Sequence, residues 1–175
     1  MHYLDSRKAK FDIKTLSFNE ALSAGSVSPS LAELRSNPVI LVGNSDWAAQ
    51  LLSPLRFHVV QDDSTDMFWI ADRQNPSKRD WSGKIDQPYE SYTRDYAIIS
   101  RFFDPTTGQT IIAVVGLGLH ATSAAAEFIT NPSFMSQVAP GNSPDWQKKN
   151  LQIVISTTIA GESWGSPQLL AKYFW

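Results

Sequence analysis

The sequence predicts one α/β domain with three layers: a Rossmann-like or flavodoxin-like mixed sheet with a parallel centre and antiparallel hairpins. Two stretches carry that prediction. Thr110–Val115 is a nearly unbroken β-branched run, followed by Gly116, Gly118 and the helix-forming Ala124–Phe128. Pro38–Val42 repeats the order, with Gly43-Asn44-Ser45-Asp46 and then Trp47–Leu52 behind it. An apolar run without alternation suits a strand covered on both faces, the usual state of parallel strands. Two strands of this kind, side by side, place both glycine turns at one border of the sheet, where α/β proteins bind ligands.

The elements follow in order. Phe11 and Ile13 alternate with Asp12 and Lys14 as an edge strand does, and Ser26–Ser30 reads as a linker, so residues 1–30 are assigned an edge strand and a connection. Pro29 can open a helix through Arg35, which Asn37-Pro38 stops. After the first strand, Asn44 or Ser45 caps a short helix and Pro54 ends it. Phe57–Val60 and Met67–Ala71 form an antiparallel pair across the acidic bend Gln61–Asp66. Patterning then collapses over residues 72–94, a loop of about twenty residues and longer than most connections. Strand character returns from Asp95 to Phe103, and the turn Asp104-Pro105-Thr106-Thr107-Gly108 makes a hairpin with the Thr110 strand. Thr122 or Ser123 is the expected cap of the helix that follows. Pro132–Val138 reads as a second helix, Pro144–Lys148 as a helical turn, and Leu151–Ser156 and Gln168–Trp175 as the last strands.

Composition narrows the functions. The 175 residues suffice for one sizeable core, and a net charge of -2 argues against nucleic-acid binding by bulk attraction. The absence of cysteine removes thiolate metal sites and cysteine nucleophiles. No apolar run approaches about 18 residues, so this segment is not expected to insert in a membrane. The first ten residues lack the apolar core of a secretory signal and equally suit a cut point in a longer protein. The compartment stays open, cytoplasmic or, within a membrane-tethered regulator, periplasmic.

Three constellations bear on chemistry. Gly116-Leu117-Gly118-Leu119-His120-Ala121 has the form G-x-G-x-x-A after a strand. The dinucleotide match is weak, because the next strand ends in Ser156-Thr157-Thr158 instead of an acid for ribose. A tight helix–sheet approach, or a small-molecule or anion site, remains. Within it, His120 and Ser123 could form a hydrolase-like pair, although no carboxylate partner is identifiable. The second constellation is Gly43, Asn44, Ser45 and Asp46, with Asp46 either capping the helix or accepting from a polar or cationic ligand. The third is the long loop, where Arg73, Arg79 and Trp81 suit a lid or a partner-binding surface. No cofactor is called for, and no spacing suits a metal.

The segments N-P-V-I-L-V-G at Asn37–Gly43, D-R-Q-N-P at Asp72–Pro76, D-Y-A-I-I-S-R at Asp95–Arg101, D-P-T-T-G at Asp104–Gly108, A-A-A-E-F at Ala124–Phe128 and K-N-L-Q-I-V at Lys149–Val154 go together. Over Leu31–Trp175 the chain resembles an uncharacterised bacterial domain that often follows a winged-helix DNA-binding region and a membrane segment. That resemblance implies a sensory or interaction module of a larger regulator, with no catalytic residues to carry over, and fused regulatory domains or a second copy as partners. The expected function is therefore a non-enzymatic ligand-sensing or protein-interaction domain with Gly43, Asn44, Ser45, Asp46, Gly116, Gly118, His120, Thr122 and Ser123 at its ligand rim. The alternatives are a small hydrolase using His120 and Ser123, and a structural oligomerisation domain.

Overall fold

A computed structural model describes residues 31–84, 88, 91–139 and 144–175, with the side chains of residues 31–33, 46, 47 and 144 excepted. The edge strand and linker expected within residues 1–30 lie outside the described residues. Helix α1 (Leu31–Ser36) leads into β1 (Val39–Val42), and α2 (Asp46–Leu52) follows. A meander of β2 (Phe57–Asp62), β3 (Met67–Asp72) and β4 (Ser82–Lys84) comes next. The long hairpin of β5 (Arg94–Asp104) and β6 (Gln109–Gly116) delivers the chain to α3 (Leu119–Thr130) and α4 (Pro132–Ser136). A 3₁₀ turn at Pro144–Lys148 precedes β7 (Leu151–Ala160), β8 (Ser163–Trp164) and β9 (Gln168–Phe174).

These strands form two sheets. The larger runs β1-β6-β5-β7, with β8 and β9 both on the outer edge of β7, and the smaller runs β2-β3-β4. The pair β1–β6 is parallel, whereas β5–β6, β5–β7 and β7–β9 are antiparallel. The three-layer Rossmann-like or flavodoxin-like expectation is therefore wrong: the chain is mostly β, and its centre is an antiparallel hairpin flanked by antiparallel β7. The physical reason lies in what covers the sheet. On one face α3 buries Ala121, Ala124, Ala125 and Phe128 against Ala97, Ile99, Val114, Ile153 and Ile155. On the other, Ile98 and Val154 meet Phe57 and Ile70 of the small sheet, while Phe102, Ile111, Ala113 and Val115 meet Ala48 and Leu52 of α2. Both faces are dry over the central strands β5, β6 and β7, so these read as apolar runs without being parallel, whereas β1 at the edge leaves Ile40 and Val42 exposed.

One buried side chain locks the sheets together. Gln152 of β7 accepts from the Phe57 backbone N–H at 2.9 Å and donates to the Phe57 carbonyl at 2.7 Å and to Ser100 Oγ at 3.1 Å. Its amide thus pairs with a peptide group as a neighbouring strand would. At the same corner Asp72 accepts a bidentate pair from Arg56 at 2.8 and 2.9 Å, plus the Gln74 N–H and Asn75 Nδ2. That network holds the Asp72 carboxyl far below the usual carboxylate range, with the Arg56 hydrogen bonds the largest cause.

Within the loop expected over residues 72–94, Ser82–Lys84 pairs with Met67–Trp69 as a third strand. Next to this region, burial and then the charge of Arg73 push His58 below its ordinary pKa of 6.5. The folded state therefore binds this proton less readily than the unfolded chain, and stability falls as pH drops below about 6.5. Asp72 acts in a separate window, its stabilisation being lost only below about pH 4. Two outcomes follow. Urea unfolding at pH 7 should show Gln152→Leu less stable by about 3 kcal/mol, since the Phe57 N–H and C=O lose their buried partners; a loss under about 1 kcal/mol rules out the bridge. Across pH 7.5 to 5.5, His58→Gln should flatten the fall in urea midpoint seen for the unaltered chain, and an unchanged slope rules out His58 as its source.

Candidate functional site

The two glycine turns do reach the same border of the large sheet. Parallel register pairs Val42 with Val114, and the Gly43 N–H donates to the Val114 carbonyl at 2.9 Å. Gly43 has φ 97°, a left-handed conformation that favours glycine. Ser45 caps α2 by accepting from the Ala48 N–H at 3.2 Å, and Asn44 is exposed beside it. The Asp46 side chain lies outside the described residues. From these turns the helices diverge, α2 onto the face of Ala113 and α3 onto the face of Val114. Neither of the two cavities described below includes Gly43, Asn44 or Ser45 in its described lining.

The Gly116–Ser123 turn is closed by the protein's own groups. Asp95, buried at the start of β5, accepts from the Gly118 N–H at 3.0 Å and the Ala121 N–H at 2.8 Å, as well as from its neighbour Tyr96 at 2.8 Å. These are the amides that a phosphate would use, and the helix-terminal positive potential already stabilises a carboxylate there. A Cβ on Gly116 would lie 2.4 Å from Thr122 Oγ1 and 2.5 Å from the Gly118 carbonyl, so this glycine admits the chain's own helix. The expectation that Thr122 or Ser123 caps α3 is corrected: Gly118 is the N-cap residue and both lie inside the helix, where Thr122 Oγ1 donates back to the Gly118 carbonyl at 2.9 Å.

His120 is 8% exposed and meets the Trp164 ring edge-on, with centroids 6.0 Å apart. Ser123 follows on the same helix, half-buried. Among the described residues no group of three or more His, Cys, Asp or Glu could hold a metal ion.

The loop residues are engaged within the fold. Arg73 donates to the Leu55 carbonyl at 3.0 Å and to the Ser53 carbonyl, closing the C-terminus of α2. Arg79 donates to the Pro76 and Lys78 carbonyls and lies over the Trp69 ring, 4.3 Å from its centroid. Trp81 is half-buried, edge-on to Phe57 at 5.8 Å.

A cavity of about 410 Å³ opens where the small sheet overhangs the start of α3. Its walls are Phe68 from β3, Tyr92, Tyr96 from β5 and Leu117, with Leu119 at the lip, 73% exposed. Lys84 and Arg94 bring the cations, and Asp95 and Gly118 lie at its base. The Tyr92 hydroxyl accepts from the Lys84 N–H at 2.7 Å and donates to the Lys84 carbonyl, bracing the end of β4. A Cβ on Gly83 would fall 2.7 Å from Phe68 Cζ and 2.9 Å from Tyr92 Cε1, so the absence of a side chain there keeps both rings close. A second cavity of about 600 Å³ lies at the hairpin end, between Leu51, Leu55, Phe102, Phe103 and Trp175. Phe68, Tyr92, Arg94 and Lys84 were not singled out from the sequence as ligand residues. The register of the β5–β6 hairpin is a signal for Arg94 alone: its pairing ends at Ala97 with Gly116, which leaves the head of β5 beside the turn that follows β6.

Fold and site together define a two-sheet, mostly β domain with one helix on its outer face and a mixed aromatic and basic cavity at one end. Comparison with known protein families, with curated proteins and with solved structures finds no match to this chain. The resemblance to a winged-helix-associated domain gains no support from them. Among the described residues no helix is long and apolar enough to cross a membrane. If Asp95 holds α3 as its hydrogen bonds indicate, Asp95→Ala should cost about 2–4 kcal/mol in chemical denaturation and Asp95→Asn about half that, because one acceptor survives. A cost below about 1 kcal/mol for Asp95→Ala removes the carboxylate from that role.

Proposed function

We propose that this chain is a non-enzymatic small-molecule-binding domain, of the kind that serves sensing or interaction in a larger regulator. Its ligand enters the cavity bounded by Phe68, Tyr92, Tyr96 and Leu117. The observation that carries the proposal is the construction of that cavity. Its volume falls within the range of about 300–1,000 Å³ typical of ligand sites. Its walls come from four separate pieces of chain: β3–β4, the segment before β5, β5 itself and the β6–α3 turn. Three aromatic rings give apolar contact area at low entropic cost, with few rotatable bonds to immobilise. Glycine at position 83 lets the Phe68 and Tyr92 rings lie against the backbone of β4.

The rim first expected for a ligand shares Gly118 with this cavity, while Gly43, Asn44 and Ser45 lie outside its lining. The binding surface is accordingly moved from the space between the glycine turns to the space under the small sheet. Native mass spectrometry of protein purified from cells should show a retained small molecule, and Gly83→Val should lose it while keeping its far-ultraviolet circular dichroism. Retention of the same mass by a folded Gly83→Val protein excludes this cavity as the place of binding.

A further inference from the structure

We infer that the ligand is an anion with a flat apolar body, an aryl carboxylate in its simplest form. The inference rests on the proposed cavity and adds its charge preference. The walls supply the apolar half: Phe68, Tyr92 and Tyr96 present rings, and Leu117 fills between them. Flat bodies stack on such rings without freezing rotors of their own. The charged half comes from Arg94 and Lys84. Arg94 is exposed at the first position of β5, on the same side of that strand as Tyr96, and Lys84 is exposed at the last position of β4. Both border the cavity, from two different sheets.

Among the described residues neither cation has an acidic partner. Ion pairs among the described residues join Arg56 to Asp72, Lys78 to Asp80 and Lys148 to Asp145. Among the described lining residues the one carboxylate is that of Asp95, which is held by the N–H groups of Tyr96, Gly118 and Ala121. Its charge is thereby matched at the helix terminus, and among the described lining residues the two cations set the sign at the mouth. A guanidinium can meet a carboxylate with two parallel hydrogen bonds, which an amide of the same shape cannot reproduce with the same strength.

Matched probes test this. Isothermal titration of the full chain with naphthalene-2-carboxylate and with naphthalene-2-carboxamide should give the carboxylate about tenfold or more the affinity of the amide, the worth of one good charge-assisted contact. Arg94→Gln, whose side chain is exposed, should bring the two affinities within about threefold of each other by weakening the carboxylate alone. Equal binding of both probes to the unaltered chain, lost in Gly83→Val, overturns the charge assignment and leaves the cavity in use. Binding of neither probe at millimolar concentration also overturns the assignment, and the cavity then stands or falls on the retained-ligand measurement. A carboxylate preference that survives Arg94→Gln and Lys84→Gln together overturns the role of these two residues.

Discussion

A single carboxylate fixes the end of the molecule that matters most. Asp95 stands at the head of β5, yet its hydrogen bonds go to the first amides of α3. The chain therefore cannot place the helix, the glycine turn or the head of the hairpin independently. An unsatisfied helix terminus against a dry sheet costs as much as a lost core methyl or more. Because the acid belongs to the strand rather than to the helix, it also decides which way α3 crosses the sheet. The same contact removes the nearest external use of the helix terminus. What an anion would have found there is already filled, and the concavity that remains lies beyond it, under the small sheet.

Much of the local structure was legible in the sequence. The antiparallel pair either side of Asp62–Met67, the hairpin turn at Asp104–Gly108, the proline-started helix at Pro132 and the Ser45 cap all rest on short-range chemistry, and all are found. The parallel neighbours β1 and β6 are found as well. The layer order was not legible. Ile98 and Val154 are as apolar as strand residues beneath a helix, and nothing in them records that a second sheet covers them instead. Burial reads out as hydrophobicity, and hydrophobicity does not name its partner.

The site was partly legible for a related reason. The glycine turn at Gly116–Gly118 was found because glycine has a local meaning. Asp95 was passed over because an acid at a strand head has several ordinary uses, and only the hairpin register gives it this one. Short strands such as Ser82–Lys84 are weaker still: three residues, one of them glycine, carry no periodicity to read. Yet β4 is what roofs the cavity.

The pairing of Gln152 with Phe57 has a mechanical consequence. It pins the small sheet to the large one at a single corner, and the cavity lies under the opposite corner, where β4 pairs with Met67–Trp69. From Phe57 to Asp62 the strand extends about 16 Å. A rotation about the pinned corner barely displaces Phe57 but is magnified several-fold at Lys84, as at the tip of a lever. The width of the mouth is thus the dimension that such a rotation would change most.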